Sequence, residues 1–297
     1  MVDFKTLKKN SGANSLLAIQ SELEKLTNKS ENSNDERFWQ PTVDKAGNGY
    51  AVIRFLPPTG DEPTAFIRYF RHSFQGPTGL WYIENSLTSL GKDDPVGQFN
   101  TELWNTGLES NKKIASKQKR KLTFVSNIYV VSDQGNPDNE GKVFLFRYGK
   151  KIFDKLNEVM NPEFPDEQPM NPFDLWEGAN LALKVRNVEG YRNYDKSAFL
   201  AKGPLLDDDK KLEAIWKSQH SLQEFLDPKN FKTYDVLKAR MNLVLANPAK
   251  ANIPAADAPS LPSRSAAQDV KDEIESAGVG SDDDEDVAFF TKMAAKG

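Results

Sequence analysis

The hydrophobic period of this 297-residue chain changes twice along its length. In residues 38–188 apolar side chains come in short runs that alternate with polar ones. Before and after that stretch they recur at every third or fourth position. Period two places alternate side chains on the two faces of a strand, whereas a period near 3.6 gathers them on one face of a helix. The pattern predicts a mainly β body with flanking helices, α+β in class. Ala46-Gly47-Asn48-Gly49 reads as a turn, and the run from Tyr50 to Leu56 is a strand that Pro57-Pro58 stops. Residues 66–74 and 80–83 read as a strand pair around Gly76-Pro77-Thr78-Gly79. Residues 122–131 and 142–148 are strands joined by a loop with Gly135, Pro137 and Gly141, and 179–188 is another that ends at Gly190. Ile152, Leu156 and Val159 place a short helix after 148, and residues 84–110 show little period.

In the first flank Leu16, Ile19, Leu23 and Leu26 predict an amphipathic helix over residues 14–27, followed by a polar linker at 27–36. In the second, Asp207-Asp208-Asp209 stands where acids favour a helix start. Leu212, Ile215, Gln219, Leu222 and Leu226 then share one face up to Pro228, and Tyr234, Leu237, Met241 and Val244 predict another helix. Residues 247–268, rich in Ala, Pro and Ser, read as a flexible linker. The organisation expected is an arm and helix at 1–36, a core at 37–246, and a linker and tail at 247–297.

Composition narrows the chemistry. There is no cysteine, which excludes disulfides, thiolate metal sites and thiol nucleophiles. The only histidines are His72 and His220, which argues against a multi-histidine metal centre or a His-dependent triad. No apolar run approaches the roughly 18 residues of a membrane helix, and Met1-Val2-Asp3-Phe4-Lys5 has no signal-peptide core, so an intracellular protein with no membrane partner is expected. A metal-dependent nuclease would need clustered acids in a rigid setting. The acidic groups here stand at a helix start (207–209) and in a tail (282–286), so a non-enzymatic role is expected.

Charge is distributed unevenly. Residues 246–297 carry ten acids against five bases, while the other 245 residues hold 34 bases and 33 acids. Within that near-neutral body Lys112, Lys113, Lys117, Lys119, Arg120 and Lys121 fall in ten residues with no acid among them. Aromatic residues flank this run: Trp104 before it, Phe124 and Tyr129 after it, then Phe144, Phe146 and Tyr148 on one strand face, and Tyr191 and Tyr194 around Arg192. Basic side chains that track phosphates, interleaved with rings that stack bases, are what sequence-tolerant binding of single-stranded nucleic acid requires. The strand aromatics equally suit a core face, and the charge run equally suits a solvated loop.

Several segments, collinear over residues 38–200, resemble the helix-destabilising, single-stranded-DNA-binding protein family of T-even phages. They are the run Ala46 to Pro57, Trp81-Tyr82-Ile83-Glu84, Lys119-Arg120-Lys121 with Thr123 and Phe124, and Asn139 to Lys155. Trp176-Glu177-Gly178-Ala179-Asn180 and Gly190 to Asp195 follow in order. The resemblance implies an OB-fold core with a small inserted subdomain, an N-terminal basic arm and an acidic C-terminal tail. It implies cooperative, largely sequence-independent binding in phage DNA replication, recombination and repair, in the host cytoplasm during infection. DNA contacts would fall on Trp104, Lys119, Arg120, Lys121, Phe124, Phe146, Tyr191 and Tyr194. Self-association along the strand would use Lys5, Lys8 and Lys9, and replication and recombination proteins would dock on Asp282, Asp283, Asp284, Glu285, Asp286, Phe289 and Phe290. An RNA-binding translational regulator with the same groove is the alternative, because stacking surfaces accept both sugars.

The family holds zinc with one histidine and three cysteines. His72 matches the histidine, but Ser86, Asp94 and Gly97 stand at the cysteine places. One histidine and one aspartate do not make a structural zinc site, so no cofactor is expected. Leu87, Leu90, Val96 and Phe99 are expected to hold the subdomain by packing.

Overall fold

The computed structural model describes residues 35–60, 62–188 and 190–245. Its strands are β1 (Phe38–Trp39), β2 (Gly49–Phe55), β3 (Phe66–Gln75), β4 (Trp81–Asn85), β5 (Arg120–Asp133), β6 (Val143–Tyr148), β7 (Ala179–Val188), β8 (Tyr191–Asn193) and β9 (Ala198–Lys202). Five α-helices accompany them among the described residues: α1 (Pro95–Asn105), α2 (Glu109–Gln118), α3 (Lys150–Met160), α4 (Asp209–Lys217) and α5 (Tyr234–Val244). The class is α+β, as the period predicts. The strands run in the order β1-β6-β5-β2-β7-β8, with β3 on β5, β4 on β3 and β9 on β7. All pairings are antiparallel except β1 on β6, so the sheet is mixed.

β2 lies between β5 and β7 and is covered on both faces, so Ile53, Arg54 and Phe55 are all buried in succession. The buried arginine is fully engaged. Arg54 donates from Nε to Asn180 Oδ1, from Nη1 to the Asp174 carbonyl and from Nη2 to the Gly203 carbonyl, each at 2.8 Å. Gly178 is required beside it, because a Cβ there would come within 2.9 Å of Arg54 Nη1 and 2.3 Å of the Asp174 carbonyl oxygen. Two segments that carry the family resemblance, 46–57 and 176–180, thus meet in a structural lock.

The main core lies under β2, β5, β6 and β7. Phe55, Phe124, Phe146, Tyr148, Phe173, Leu181 and Tyr194 fill it, and α3 closes it with Ile152 and Leu156. Each such side chain contributes about 1.5–3 kcal/mol on burial. A second cluster joins Phe74, Tyr82, Leu87 and Val96 to Phe231, Leu237, Met241 and Val244, with Leu90 and Phe99 packed against it. The expected packing of residues 87–99 is therefore present, and its partner is α5, more than 130 residues on. Glu84 of β4 pairs with Lys232 at 2.7 Å and with Arg240 of α5 at 2.5 Å.

Two regions differ from the sequence reading. Residues 84–110, which show little hydrophobic period, hold α1 and the first residues of α2, which continues to Gln118. Asp94 caps α1 by accepting from the Val96 and Gly97 amides at 3.0 and 3.2 Å, with Pro95 in the first position. Only Pro95, Val96 and Asn100 of α1 and Ala115 and Gln118 of α2 are buried, too few to show as a stripe. The helix expected to run from 209 to Pro228 stops at Lys217. There the chain is clipped to β5: Asn127 donates to the His220 carbonyl at 2.8 Å and accepts from the His220 amide at 2.9 Å. Tertiary hydrogen bonds override a helical apolar spacing that continues past them.

Candidate nucleic-acid interface

The basic run spans a junction. α2 carries Lys112, Lys113 and Lys117, and β5 begins at Arg120 directly after Lys119. Ala, Lys, Glu and Gln are strong helix formers, which explains a helix here without an apolar stripe. α1 packs on α2 and brings Trp104 to the run, with Lys112 Nζ 5.8 Å from the centre of its indole. Lys112 also pairs with Glu109 at 2.8 Å.

Strand register sorts the three cations that follow. Arg120 stands opposite His72, and Lys121 opposite Arg71. Directly opposed residues share a face and neighbours alternate, so Arg120 and Lys121 point to opposite sides of the sheet. On one side the Arg120 guanidinium lies 3.9 Å from the centre of the Phe70 ring, a cation–π contact. The other side bears Lys121, Arg71, Tyr69 and Arg147 on β5, β3 and β6. A cavity of about 400 Å³ opens there, lined by Arg37, Tyr69, Arg71, Arg147, Glu224 and Lys229 among others. Arg147 lies 3.6 Å from the centre of the Phe38 ring. Burial, together with the neighbouring Arg71 charge, holds the Arg147 guanidinium below its ordinary value, against an opposing pull from Tyr69. Arg37 is held by Asp35 and Glu224, and Lys229 by Asp227 at 2.9 Å. Sequence reasoning missed this cavity. The available signal was the alternation itself: a cation between Phe146 and Tyr148, or between Phe70 and His72, points away from the face its neighbours share.

Of the eight residues expected to contact DNA, Trp104 near the end of α1 and Lys119, Arg120 and Lys121 where α2 passes into β5 are half-buried. Tyr191 is on a separate element, the β7–β8 hairpin, where Gly190 turns the chain at φ 88°, and it is 60% exposed. Phe124, Phe146 and Tyr194 are core residues, 3%, 2% and 1% exposed. Phe124 is stacked on Phe153 with ring centres 4.1 Å apart and planes 4° apart, and Phe146 meets Trp39 edge-on. Burial pushes the Tyr194 phenol up to about 12, against an opposing pull from Arg192. These three rings offer no open face to a base, so they belong to the core and not to the expected stacking surface. Lys5, Lys8, Lys9, the helix at 14–27 and the acidic residues with Phe289 and Phe290 lie outside the described residues.

The four positions aligned with a metal set form a hydrogen-bonded knot. His72, Ser86 and Asp94 are buried. His72 Nδ1 donates to the Gln118 carbonyl at 2.8 Å, and Nε2 lies 3.2 Å from Asp94 Oδ1. The Ser86 hydroxyl and the Leu87 amide donate to Asp94 Oδ2 at 2.9 and 3.1 Å, while Oδ1 takes the two cap amides of α1. Burial would raise the Asp94 carboxyl, but the His72 ring, the Gly97 amide and the Ser86 hydroxyl outweigh it and hold it at about 2. Both carboxylate oxygens and the His72 Nδ1 are hydrogen-bonded within the knot, whereas the buried Nε2, 3.2 Å from Asp94 Oδ1, makes no hydrogen bond there. Among the described residues no group of three or more His, Asp or Glu side chains is arranged to hold a metal ion. The residues present do not fit the zinc that the family resemblance implies.

Comparison with known proteins gives a consistent picture. The family described as gp32 DNA binding protein like matches residues 47–245. The Single-stranded DNA-binding protein of Enterobacteria phage T4 is 39% identical over 225 residues, covering 73% of this chain and 73% of the relative. That of Enterobacteria phage T2 is 38% identical over 224 residues, covering 73% and 72%. That of Escherichia phage SV14 is 44% identical over 78 residues, covering 25% and 68%.

Proposed function

The chain belongs to the gp32 DNA binding protein-like family, and on that premise we propose that it is a non-enzymatic single-stranded-DNA-binding protein of phage DNA replication, recombination and repair. The observation that carries the reading is the α1–α2–β5 junction. Six bases with no acid among them run through α2 into β5 there, and one of them, Lys112, lies over the Trp104 indole. Lys119, Arg120 and Lys121 neutralise phosphates, and Trp104 and the exposed Tyr191 stack bases, each worth roughly 1–3 kcal/mol. Arg71 and Arg147, on the Lys121 side of the sheet, extend the cationic surface. Binding of unpaired strands over duplex then holds replication strands open without chemistry.

We read the β2–β5–β6–β7 sheet with α3 as an OB barrel, and residues 72–118 as a subdomain inserted between its strands. The aromatic core closed by a helix between β6 and β7 supports this. Cooperative self-association through Lys5, Lys8 and Lys9, and docking of replication proteins on the 282–290 segment, complete the proposal, as does action in the host cytoplasm. No helix of the described residues is long and apolar enough to cross a membrane.

The test is a fluorescence titration of the full chain with an unstructured DNA strand, the matching RNA and a duplex. The expected result is quenching by the DNA strand at far lower concentration than by duplex, with affinity falling steeply as salt rises. Equal affinity for duplex and single strand would refute the reading, and a preference for RNA would shift it to the translational role.

A further inference from the structure

The Asp94 carboxylate joins segments that are distant in sequence. It accepts from the hydroxyl of Ser86 just after β4 and from the first amides of α1, and its Oδ1 lies 3.2 Å from Nε2 of His72 on β3. His72 in turn holds the carbonyl of Gln118, the last residue of α2. Gln118 immediately precedes Lys119-Arg120-Lys121, and α1 carries Trp104. One buried carboxylate therefore links the helix that bears the indole to the point where the basic strand begins. Its members, His72, Ser86 and Asp94, are the residues that stand at the family's ligand places. Room for the fourth ligand remains, because a Cβ built on Gly97 would meet only Asp94 Cβ, at an ordinary 3.8 Å.

We propose that His72, Ser86 and Asp94 form a metal-free clamp that replaces a structural zinc and acts as the positioning device for the Trp104 and Lys119–Lys121 interface. Three physical facts support it. A charge-assisted hydrogen-bond network is directional, as a metal's ligand sphere is, so it fixes orientation as well as proximity. It is buried, where water does not compete for its donors. It is also backed by apolar contacts of Leu87 and Val96 with α5, which a metal-free region of this size needs.

The proposal rests on the single-stranded-DNA reading, and its test keeps the two apart. Full-length protein is analysed for zinc and titrated with a single strand before and after treatment with EDTA, over a range of salt. The same titrations are made on Asp94→Ala and Asp94→Asn. The clamp predicts no stoichiometric zinc and no effect of chelator on affinity or melting temperature. It predicts that Asp94→Ala binds at least about tenfold more weakly. Its log–log salt slope should also be shallower by about 0.7 for each phosphate that the displaced cations no longer neutralise. Mere destabilisation would lower the active fraction and leave the slope of the folded fraction unchanged. Asp94→Asn, which keeps an acceptor for the cap amides, should fall between the two.

A second variant converts the clamp to a metal site: Ser86→Cys, Asp94→Cys and Gly97→Cys together, with His72 retained. It should take up one zinc per chain, restore the slope of the unaltered chain, and become sensitive to chelator. Stoichiometric zinc in the unaltered chain would overturn the proposal. So would an Asp94→Ala protein whose affinity and slope match the unaltered chain, or a folded triple variant that binds no zinc. If the unaltered chain does not bind single strands, the functional reading fails instead.

Discussion

The core under the main sheet and the 72–118 region are held together by different physics. Under β2, β5, β6 and β7, rings pack on rings: Phe55 meets Phe146, Tyr148 and Phe173, and Phe124 lies on Phe153. Such contacts are non-directional, and similar volumes are interchangeable at modest cost. In the 72–118 region a smaller apolar cluster depends on α5 from the far end of the described chain, and orientation comes from one buried carboxylate. If stability resides chiefly in the first region and, as proposed, the geometry of binding in the second, the two respond to different substitutions. Mutations should therefore separate folding from binding.

The largest effect expected is on the aromatic core. Phe124→Ala should cost about 3–5 kcal/mol of stability, read as a lower denaturant midpoint. The protein that remains folded should keep its salt slope on single strands. A variant of normal stability with diminished DNA affinity would return Phe124 to the interface. Arg54→Met should cost about 3 kcal/mol, because the carbonyls of Asp174 and Gly203 and the Asn180 amide lose their donor. Chemical denaturation should show that loss with binding of the folded fraction preserved.

Met241→Ala probes the second region. It removes a side chain of α5 from the cluster with Val96 and Leu87 and should cost about 2–3 kcal/mol. Hydrogen exchange should rise in α1 and α2 before it rises in β2, whereas uniform acceleration would mean that the two regions unfold as one. The smallest effect belongs to an exposed ring: Tyr191→Ala should weaken single-strand binding by about 1–3 kcal/mol and leave the melting temperature unchanged. Unaltered affinity would remove the β7–β8 hairpin from the interface.

The two regions also differed in how legible they were. Strands of the main sheet were readable because turn residues bracket clean alternation; residues 179–188 are an example, matching β7 at both ends. Alternation says which residues share a face but not which face turns inward. That is why Phe124 and Phe146 fitted both a core and a stacking platform until packing placed them. α1 and α2 were hidden because they bury few residues, α1 being held by the Asp94 cap and α2 favoured by Glu109 in its first turn and Lys117 in its last. The missing cysteines were plain in the sequence. The clamp was not, since His72 and Asp94 meet only when β3 turns back through β4. The cationic cavity was hidden for a related reason: Arg37, Arg71, Arg147 and Lys229 are far apart in sequence and converge only through strand pairing and the return of the 224–230 segment.

In the proposed mode of binding the start of β5 meets the phosphates of an unpaired strand. Its most direct test compares the salt dependence of single-strand binding by the unaltered chain and by Lys119→Gln/Lys121→Gln, with equal melting temperatures verified first. The account predicts a log–log slope shallower by about 1.4 in the double variant, roughly 0.7 for each phosphate left without its cation. An unchanged slope, with affinity retained across the salt range, would contradict it.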